Sequence, residues 1–310
     1  MFNNRIFIPD KKYVDNSHEK NFIEHKYALN FDAKIMPCIC DLIEFLDENK
    51  EIQRPKNHEE TNIIDIQRGK CYSFVNKSAK TEQLFHRLEE CRRQKIQLMF
   101  NEKQNPNESG IMLDFDLKLK NPIKLNQVTI FHKLRLVRQI MMIINSCFEL
   151  DEYLEKNESI IVGITSSGVN NNFHLLIPGI WLSRSEKDFL ITKIIDNRIA
   201  ERIFDNLEFS SHESPLDHNC IRVPIFFIGN TRYDKKGNKN SIKTPYVLTN
   251  VFRVHIEKGE IDANPDDLIS DDDIYVNICH EFSLNFECIS DKQIIKKMKV
   301  YCKYEYKDDI

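Results

Sequence analysis

Asp114 and Asp116 are the residues of this chain whose type and spacing most directly suggest chemistry. They lie in residues 111–119, where Ile111, Leu113, Phe115, Leu117 and Leu119 alternate with Asp114, Asp116 and Lys118, the period of a strand with one buried face. Side chains two positions apart leave a strand on the same side, roughly 6–7 Å apart at the backbone, so the carboxylates can lean toward one point. Carboxylate oxygens are the ligands that Mg²⁺ and Mn²⁺ prefer, and two like charges on an apolar strand need a compensating cation. The competing reading is an edge strand with both aspartates in water. Two later residues bear on the choice. His174 alternates with Phe173, Leu175 and Ile177, so it points away from the apolar side of its own strand. Asp217 precedes an apolar stretch that carries Arg222. Each has a structural alternative, a satisfied core histidine and a helix-cap or turn residue. Together they suggest three carboxylates, one histidine and a trailing basic segment around one cleft.

The elements that must position these residues follow from periodicity. Residues 1–60, rich in Lys, Asn, Glu and Asp, read as an N-terminal extension with one short helix near residues 36–46. Residues 62–74 read as a hairpin turning at Arg68-Gly69-Lys70. Leu84, Leu88 and Cys91 mark an amphipathic helix over residues 80–95, and Val128, Phe131, Leu134, Val137, Met141 and Ile144 a longer one. Strands are expected at 159–165 and at 173–177, the latter stopped by Pro178-Gly179. A helix capped by Ser185 follows, with Ile191, Ile195, Ile199 and Ile203 as its stripe. Two more strands are expected, at 221–228 and 246–256, and residues 258–310 read as an acidic loop with a C-terminal helical or strand appendage. Interleaved helices and hairpins predict an α/β or α+β sheet with helices on one face.

Composition narrows the function classes. The net charge of −4 supplies no whole-protein attraction for nucleic acid, so such binding would rest on local basic patches. No apolar run is long enough to cross a bilayer, and the charged first twenty residues exclude a signal-peptide apolar region, so a soluble intracellular protein with no membrane partner is expected. Nine cysteines without paired spacing point to reduced thiols, with no structural zinc expected. Glycine is scarce, at 8 residues, and no Walker A sequence is present.

The order of motifs resembles the archaeo-eukaryotic primase superfamily. That pattern runs from an apolar Asp-x-Asp strand to a small-x-His strand, then to an Asp ahead of a strand that leads to Gly-Ser-x-Lys. The matching residues here are Leu113-Asp114-Phe115-Asp116, Asn172-Phe173-His174, Leu216-Asp217 and Gly229-Asn230-Thr231-Arg232. The likeness is closest to the primase part of the primase–helicases of nucleocytoplasmic large DNA viruses, the asfarvirus type in particular, and covers roughly residues 60–255. It implies a catalytic core at 61–257, built from a small α/β unit and an antiparallel sheet like that of an RNA-recognition motif, with the active site between them. Three departures stand out. Asn172 replaces a small residue, Arg232 replaces lysine, and Phe226 and Phe227 stand where many relatives carry an arginine, with Arg222 a distant substitute.

The resemblance implies metal-dependent nucleotidyl transfer that makes primers on a single-stranded DNA template for viral-type DNA replication, in the host cytoplasm or nucleus. Asp114, Asp116 and Asp217 would bind Mg²⁺ or Mn²⁺ in a two-metal site. His174 would contact the triphosphate of the incoming nucleoside triphosphate, with Asn172, Arg222, Arg232 and Lys235 as further phosphate contacts. Arg92, Arg93, Lys236 and Lys239 are candidates for holding the template. The cluster Lys133, Arg135 and Arg138 and the run 292–299 read better as solvated faces. A helicase domain would follow in a longer parent chain. Two other readings stay open: a non-catalytic module that binds single-stranded nucleic acid, and a metal-dependent nuclease using the same carboxylates.

Overall fold

The hairpin at Gly69 lies in the first of two five-stranded antiparallel sheets among the described residues. The computed structural model describes residues 36–55, 58–96, 98–120, 127–150, 159–166, 171–211, 213–230, 245–257, 260–265, 278–286 and 296–298. Helix α1 (Met36–Glu48) precedes the short strands β1 (Gln53–Arg54), β2 (Ile63–Asp65) and β3 (Lys70–Tyr72). Asp65 pairs with Lys70 across the hairpin, and Gly69 takes φ +69°, which a residue without a Cβ adopts cheaply. Arg68 ties the turn down by donating to Asp65 at 2.6 Å and to both carboxylate oxygens of Asp47 on α1 at 3.0 Å. Helix α2 (Ala79–Arg93) starts where the Ser78 hydroxyl accepts the Thr81 N–H. Its Leu84, Phe85, Leu88 and Cys91 share a core with Ile39, Leu42, Ile43 and Leu46 of α1. The extension read at residues 1–60 is thus part of a core from α1 onward; residues 1–35 lie outside those described. Strand β4 (Phe100–Glu102) pairs with β2.

The alternating segment around Asp114 opens the second sheet as β5 (Ser109–Phe115). The chain continues through α3 (Ile130–Cys147), β6 (Phe148–Leu150), β7 (Ile160–Ser166), β8 (Phe173–Leu182), α4 (Arg184–Asp196) and α5 (Ile199–Ile203). A 3-10 turn (His218–Arg222) leads to β9 (Ile225–Phe226), and β10 (Val247–Glu257), β11 (Glu260–Pro265), α6 (Ile278–Glu281) and β12 (Lys296–Met298) follow. The first sheet has the order β1-β3-β2-β4-β9 and the second β11-β10-β7-β8-β5, while β12 pairs with β6 alone. An α+β architecture results, with α3, α4 and α5 contributing to the core of the second sheet.

Several boundaries differ from the sequence reading, each for a local reason. Strand β8 runs through Pro178 and Gly179 to Leu182, because the β5 register steps from Ile111↔Ile177 to Ser109↔Leu182 and the proline falls in that irregularity, where no ladder donor is needed. Ser183, not Ser185, caps α4: its hydroxyl accepts the Glu186 N–H, and the Glu186 carboxylate accepts the Ser183 N–H at 2.7 Å. Helix α3 keeps the expected stripe at Val137, Met141 and Ile144, which are buried, and departs from it at the first turn. Phe131 is 73% exposed, whereas His132, held by a capping box with Thr129, turns inward with Leu136, Val137, Ile140 and Ile144. The apolar stretch 221–228 yields only a turn and the two residues of β9, which joins the first sheet through β4.

Residues 278–286 are no appendage. Ile278, Phe282 and Leu284 enter the core of the second sheet, and Cys279 and Phe286 that of the first. Strand β11 pairs with β10 from Phe252↔Pro265 to Glu257↔Glu260. Phe282 lies flat over Gly163 of β7, where a Cβ would collide with its ring. Gly163→Ala is therefore expected to lower unfolding free energy by about 1–3 kcal/mol through overpacking, read as a reduced midpoint in urea. Among the described residues no helix is long and apolar enough to cross a membrane.

Candidate active site

Strand parity sorts the second sheet into two faces. Phe115 pairs with Phe173 and Phe173 with Ser166. The Phe115 and Phe173 rings stack at 5.1 Å, and Phe173 meets Phe204, which in turn contacts His132 of α3. That row faces the helices. The next row, Asp114↔His174↔Thr165, must face the other way. Farther along this second face, the row Met112↔Leu176↔Gly163 is covered: Met112 and Leu176 are buried and Phe282 packs against Gly163. The Asp114 end is where side chains reach solvent: Asp114 and His174 are half-buried and Asp116 is exposed.

Asp217 is brought to this strand end by the backbone. Phe115 bridges Leu216, the Asp116 N–H donates to the Pro215 carbonyl at 2.8 Å, and the Asp217 N–H donates to the Asp114 carbonyl at 2.9 Å. β5 is the edge strand of the second sheet, as the alternative reading had it, and residues 215–217 bond to the outer side of its last residues. Residues about a hundred positions apart in the chain are one hydrogen bond apart in space. Beneath them the Cys220 thiol, pushed up to about 12 mainly by burial, donates to the Met112 carbonyl at 3.4 Å.

Each carboxylate meets a nitrogen of the protein. His174 Nε2 stands 3.5 Å from Asp114 Oδ1, the Asn172 amide donates to Asp116 Oδ1, and Asp217 Oδ1 accepts the Asn219 N–H at 2.9 Å. Asp217 thus caps the 3-10 turn, its structural alternative, while also standing beside Asp114. On the rim, Lys118 pairs with Glu213 at 2.7 Å; that partner, with smaller pulls from Asp116 and Asp217, holds its ammonium above the usual range. The donor chemistry suits a hard divalent cation, since all three groups are carboxylates leaving one strand end. In their present rotamers they do not cage one: among the described residues no three His, Cys, Asp or Glu side chains form a metal-holding group.

The basic candidates divide. Arg92 and Arg93 both pair with the buried Glu89, at 2.7 and 3.2 Å, and Arg92 also packs against Gly229. These contacts fasten the end of α2. Arg222 is exposed at the end of the turn that Asp217 caps. Lys133 is committed to Asn250 at 2.7 Å, with burial lowering its ammonium, and Arg138 pairs with Asp262 at 3.7 Å. Arg232, Lys235, Lys236 and Lys239 lie outside the described residues.

One feature escaped the sequence reading. Tyr246 stacks on the His174 ring at 4.7 Å and 19°, and Phe226 on Tyr246 at 6.0 Å and 12°. Tyr246 reads in sequence only as the first residue of a strand.

The family described as the C962R protein N-terminal AEP domain matches residues 61–252. Proteins named "Putative primase C962R" from African swine fever virus are similar: isolate Tick/Malawi/Lil 20-1/1983 at 29% identity over 238 residues, and isolate Pig/Kenya/KEN-50/1950 at 29% over 230. Strain Badajoz 1971 Vero-adapted shows 28% over 238. Each alignment covers 73% of this chain and 22% of the relative, so the chain spans about a fifth of the length of those proteins. With Asp114, His174 and Asp217 gathered at one strand end of an α+β fold, and a match covering more than half its length, the chain belongs to the C962R N-terminal family of archaeo-eukaryotic primase-type domains.

Proposed function

We propose that this domain is a DNA primase or primase–polymerase, joining nucleotides on a single-stranded DNA template as the catalytic part of a longer primase–helicase. The observation that carries the reading is the meeting of Asp114, His174 and Asp217 at the end of one sheet face where Asp114 and Asp116 reach solvent. Asp114, Asp116 and Asp217 would hold Mg²⁺ or Mn²⁺, and such ions, when bound, supply activation of the 3′-hydroxyl and neutralise charge on the triphosphate. His174 presents Nε2 to the Asp114 carboxylate in the free protein, and a phosphate oxygen would take over that position. Asn172, released from Asp116, has an amide to offer the same phosphates. Arg232 would clamp the triphosphate, its planar fork replacing a lysine point charge, with Lys235 and Arg222 as further contacts. The template would run along Lys236 and Lys239, and Arg92 and Arg93 would join only by exchanging Glu89 for backbone phosphate.

The test is extension of a primed single strand, and de novo synthesis on an unprimed one, with Mg²⁺ or Mn²⁺ and all triphosphates. Longer products support transfer; shortened substrate indicates a nuclease; binding without either indicates a non-catalytic module. Arg232→Ala is expected to raise the nucleotide KM on the order of tenfold, as loss of a charge-assisted contact does, while Arg232→Lys stays within about threefold. An unchanged KM in the alanine variant removes Arg232 from the phosphate site.

A further inference from the structure

The three-ring stack spans the two sheets beside the site. Phe226 belongs to β9, the edge of the first sheet, and His174 to β8 in the second. Tyr246 lies between their rings. Its backbone is fixed at both polar atoms: the Tyr246 N–H donates to the Asn230 carbonyl at 3.0 Å, and its carbonyl accepts the Gly229 N–H at 2.7 Å. Gly229 takes φ +87°, with Arg92 Cγ 2.8 Å from where a Cβ would stand, so the clamp is seated against the end of α2. Asn230 is buried and its amide reaches the Phe100 carbonyl at 3.4 Å. The ring of Tyr246 is therefore held from the first sheet and pressed on the imidazole in the second.

A histidine ring at the mouth of a site has a broad terminal torsion and can turn its nitrogens in several directions. Offset stacking at 4.7 Å restricts that torsion, and here it leaves Nε2 directed at Asp114. We propose that Tyr246 is the positioning residue for His174, holding the imidazole ready for the triphosphate. The inference rests on that reading of His174.

The experiment is a double-mutant cycle on the full chain, measuring calorimetric affinity for a non-hydrolysable deoxynucleoside triphosphate with Mg²⁺. Tyr246→Leu is expected to weaken binding by roughly tenfold, the upper end of what an aromatic pair contributes. Tyr246→Phe keeps the stack and should stay within about twofold. In a His174→Ala background the leucine substitution should add almost nothing, since its effect passes through the ring that is gone. Proton NMR gives a readout independent of affinity. The His174 ring protons, shielded by the tyrosine, should move downfield in Tyr246→Leu and stay in place in Tyr246→Phe. Equal weakening by Tyr246→Leu with and without His174 would overturn the inference, as would unchanged binding or unchanged ring shifts in Tyr246→Leu. If His174→Ala alone binds the triphosphate as well as the parent protein, the phosphate role of His174 falls and the inference falls with it. That signature is distinct from failure at Tyr246 alone.

Discussion

Replacing Asp114 by alanine is expected to abolish primer extension, with a rate loss on the order of 10³-fold or more, equivalent to roughly 4 kcal/mol of transition-state stabilisation. The fold should survive. The Asp114 carboxylate is half-buried with His174 as its neighbour, and the bonds that organise the strand end, from Asp217 N–H to the Asp114 carbonyl and from Asp116 N–H to Pro215, are backbone bonds that alanine keeps. Asp114→Asn preserves shape and removes charge, so equal loss in both variants would assign the effect to the charge. Asp217 needs a different choice, because its carboxylate also caps the 3-10 turn. Asp217→Ala would mix a lost cap, worth about 1 kcal/mol, with lost chemistry. Asp217→Asn retains an acceptor for the Asn219 N–H and isolates the chemistry. Gel-resolved product together with a thermal melt separates the two contributions. Activity within a few-fold of normal in a well-folded Asp114→Ala protein removes this carboxylate from the reaction.

The largest stability effect is expected at Glu102, on strand β4. Its enclosed carboxylate accepts the Ser283 hydroxyl at 2.8 Å, the Leu284 N–H at 3.1 Å and the Asn285 N–H, thereby fastening the 283–286 turn to strand β4. The same turn brings Leu284 and Phe286 to the two cores. Glu102→Ala would strand two buried backbone donors, each costing about 1–3 kcal/mol, for a total loss of about 3–5 kcal/mol. Burial pushes the Glu102 carboxyl up to about 7 against these donors and the nearby Lys187 ammonium. The unfolded chain ionises this group near 4.5, before the folded one does. The stability contributed by neutral Glu102 is therefore fully present below that pH and is lost as pH rises through about 7, by up to about 3 kcal/mol. Denaturant unfolding at pH 4.5 and pH 8 should show this slope in the parent protein and a flatter one in Glu102→Gln, which cannot titrate. Parallel profiles would contradict the assignment.

What was legible in the sequence had short-range causes. Alternation around Asp114 marked its strand and the side its carboxylate takes; Arg68-Gly69 marked the hairpin; the helix at 80–95 followed from the spacing of Leu84, Leu88 and Cys91. The order Asp-x-Asp, His, Asp carried the family. Features set by partners distant in the chain were not visible. Phe131 fits a helical stripe whose later members Val137, Met141 and Ile144 are buried, yet in the first turn it is His132, bonded to Thr129 and Asn206, that turns inward while the Phe131 ring faces solvent. Nothing local to Pro178-Gly179 reveals that β5 offers a register step in which β8 can continue. Residues 278–286 follow an acidic stretch and look detachable, but Glu102 and Gly163 provide the socket that holds them. At the site, His174 was legible as facing away from the apolar side, whereas the Tyr246 stack depends on a backbone clamp to Asn230 that no pattern of residue types announces.

The central claim concerns one place in the molecule, and an anomalous difference map reads it most directly, from crystals holding Mn²⁺ and a non-hydrolysable deoxynucleoside triphosphate. The account predicts manganese density bounded by the carboxylates of Asp114, Asp116 and Asp217, with Asn172 withdrawn from Asp116 and phosphate oxygens at His174 Nε2. Manganese bound elsewhere, or a strand end that stays without metal and with Asp217 still capping its turn at saturating Mn²⁺, would contradict it.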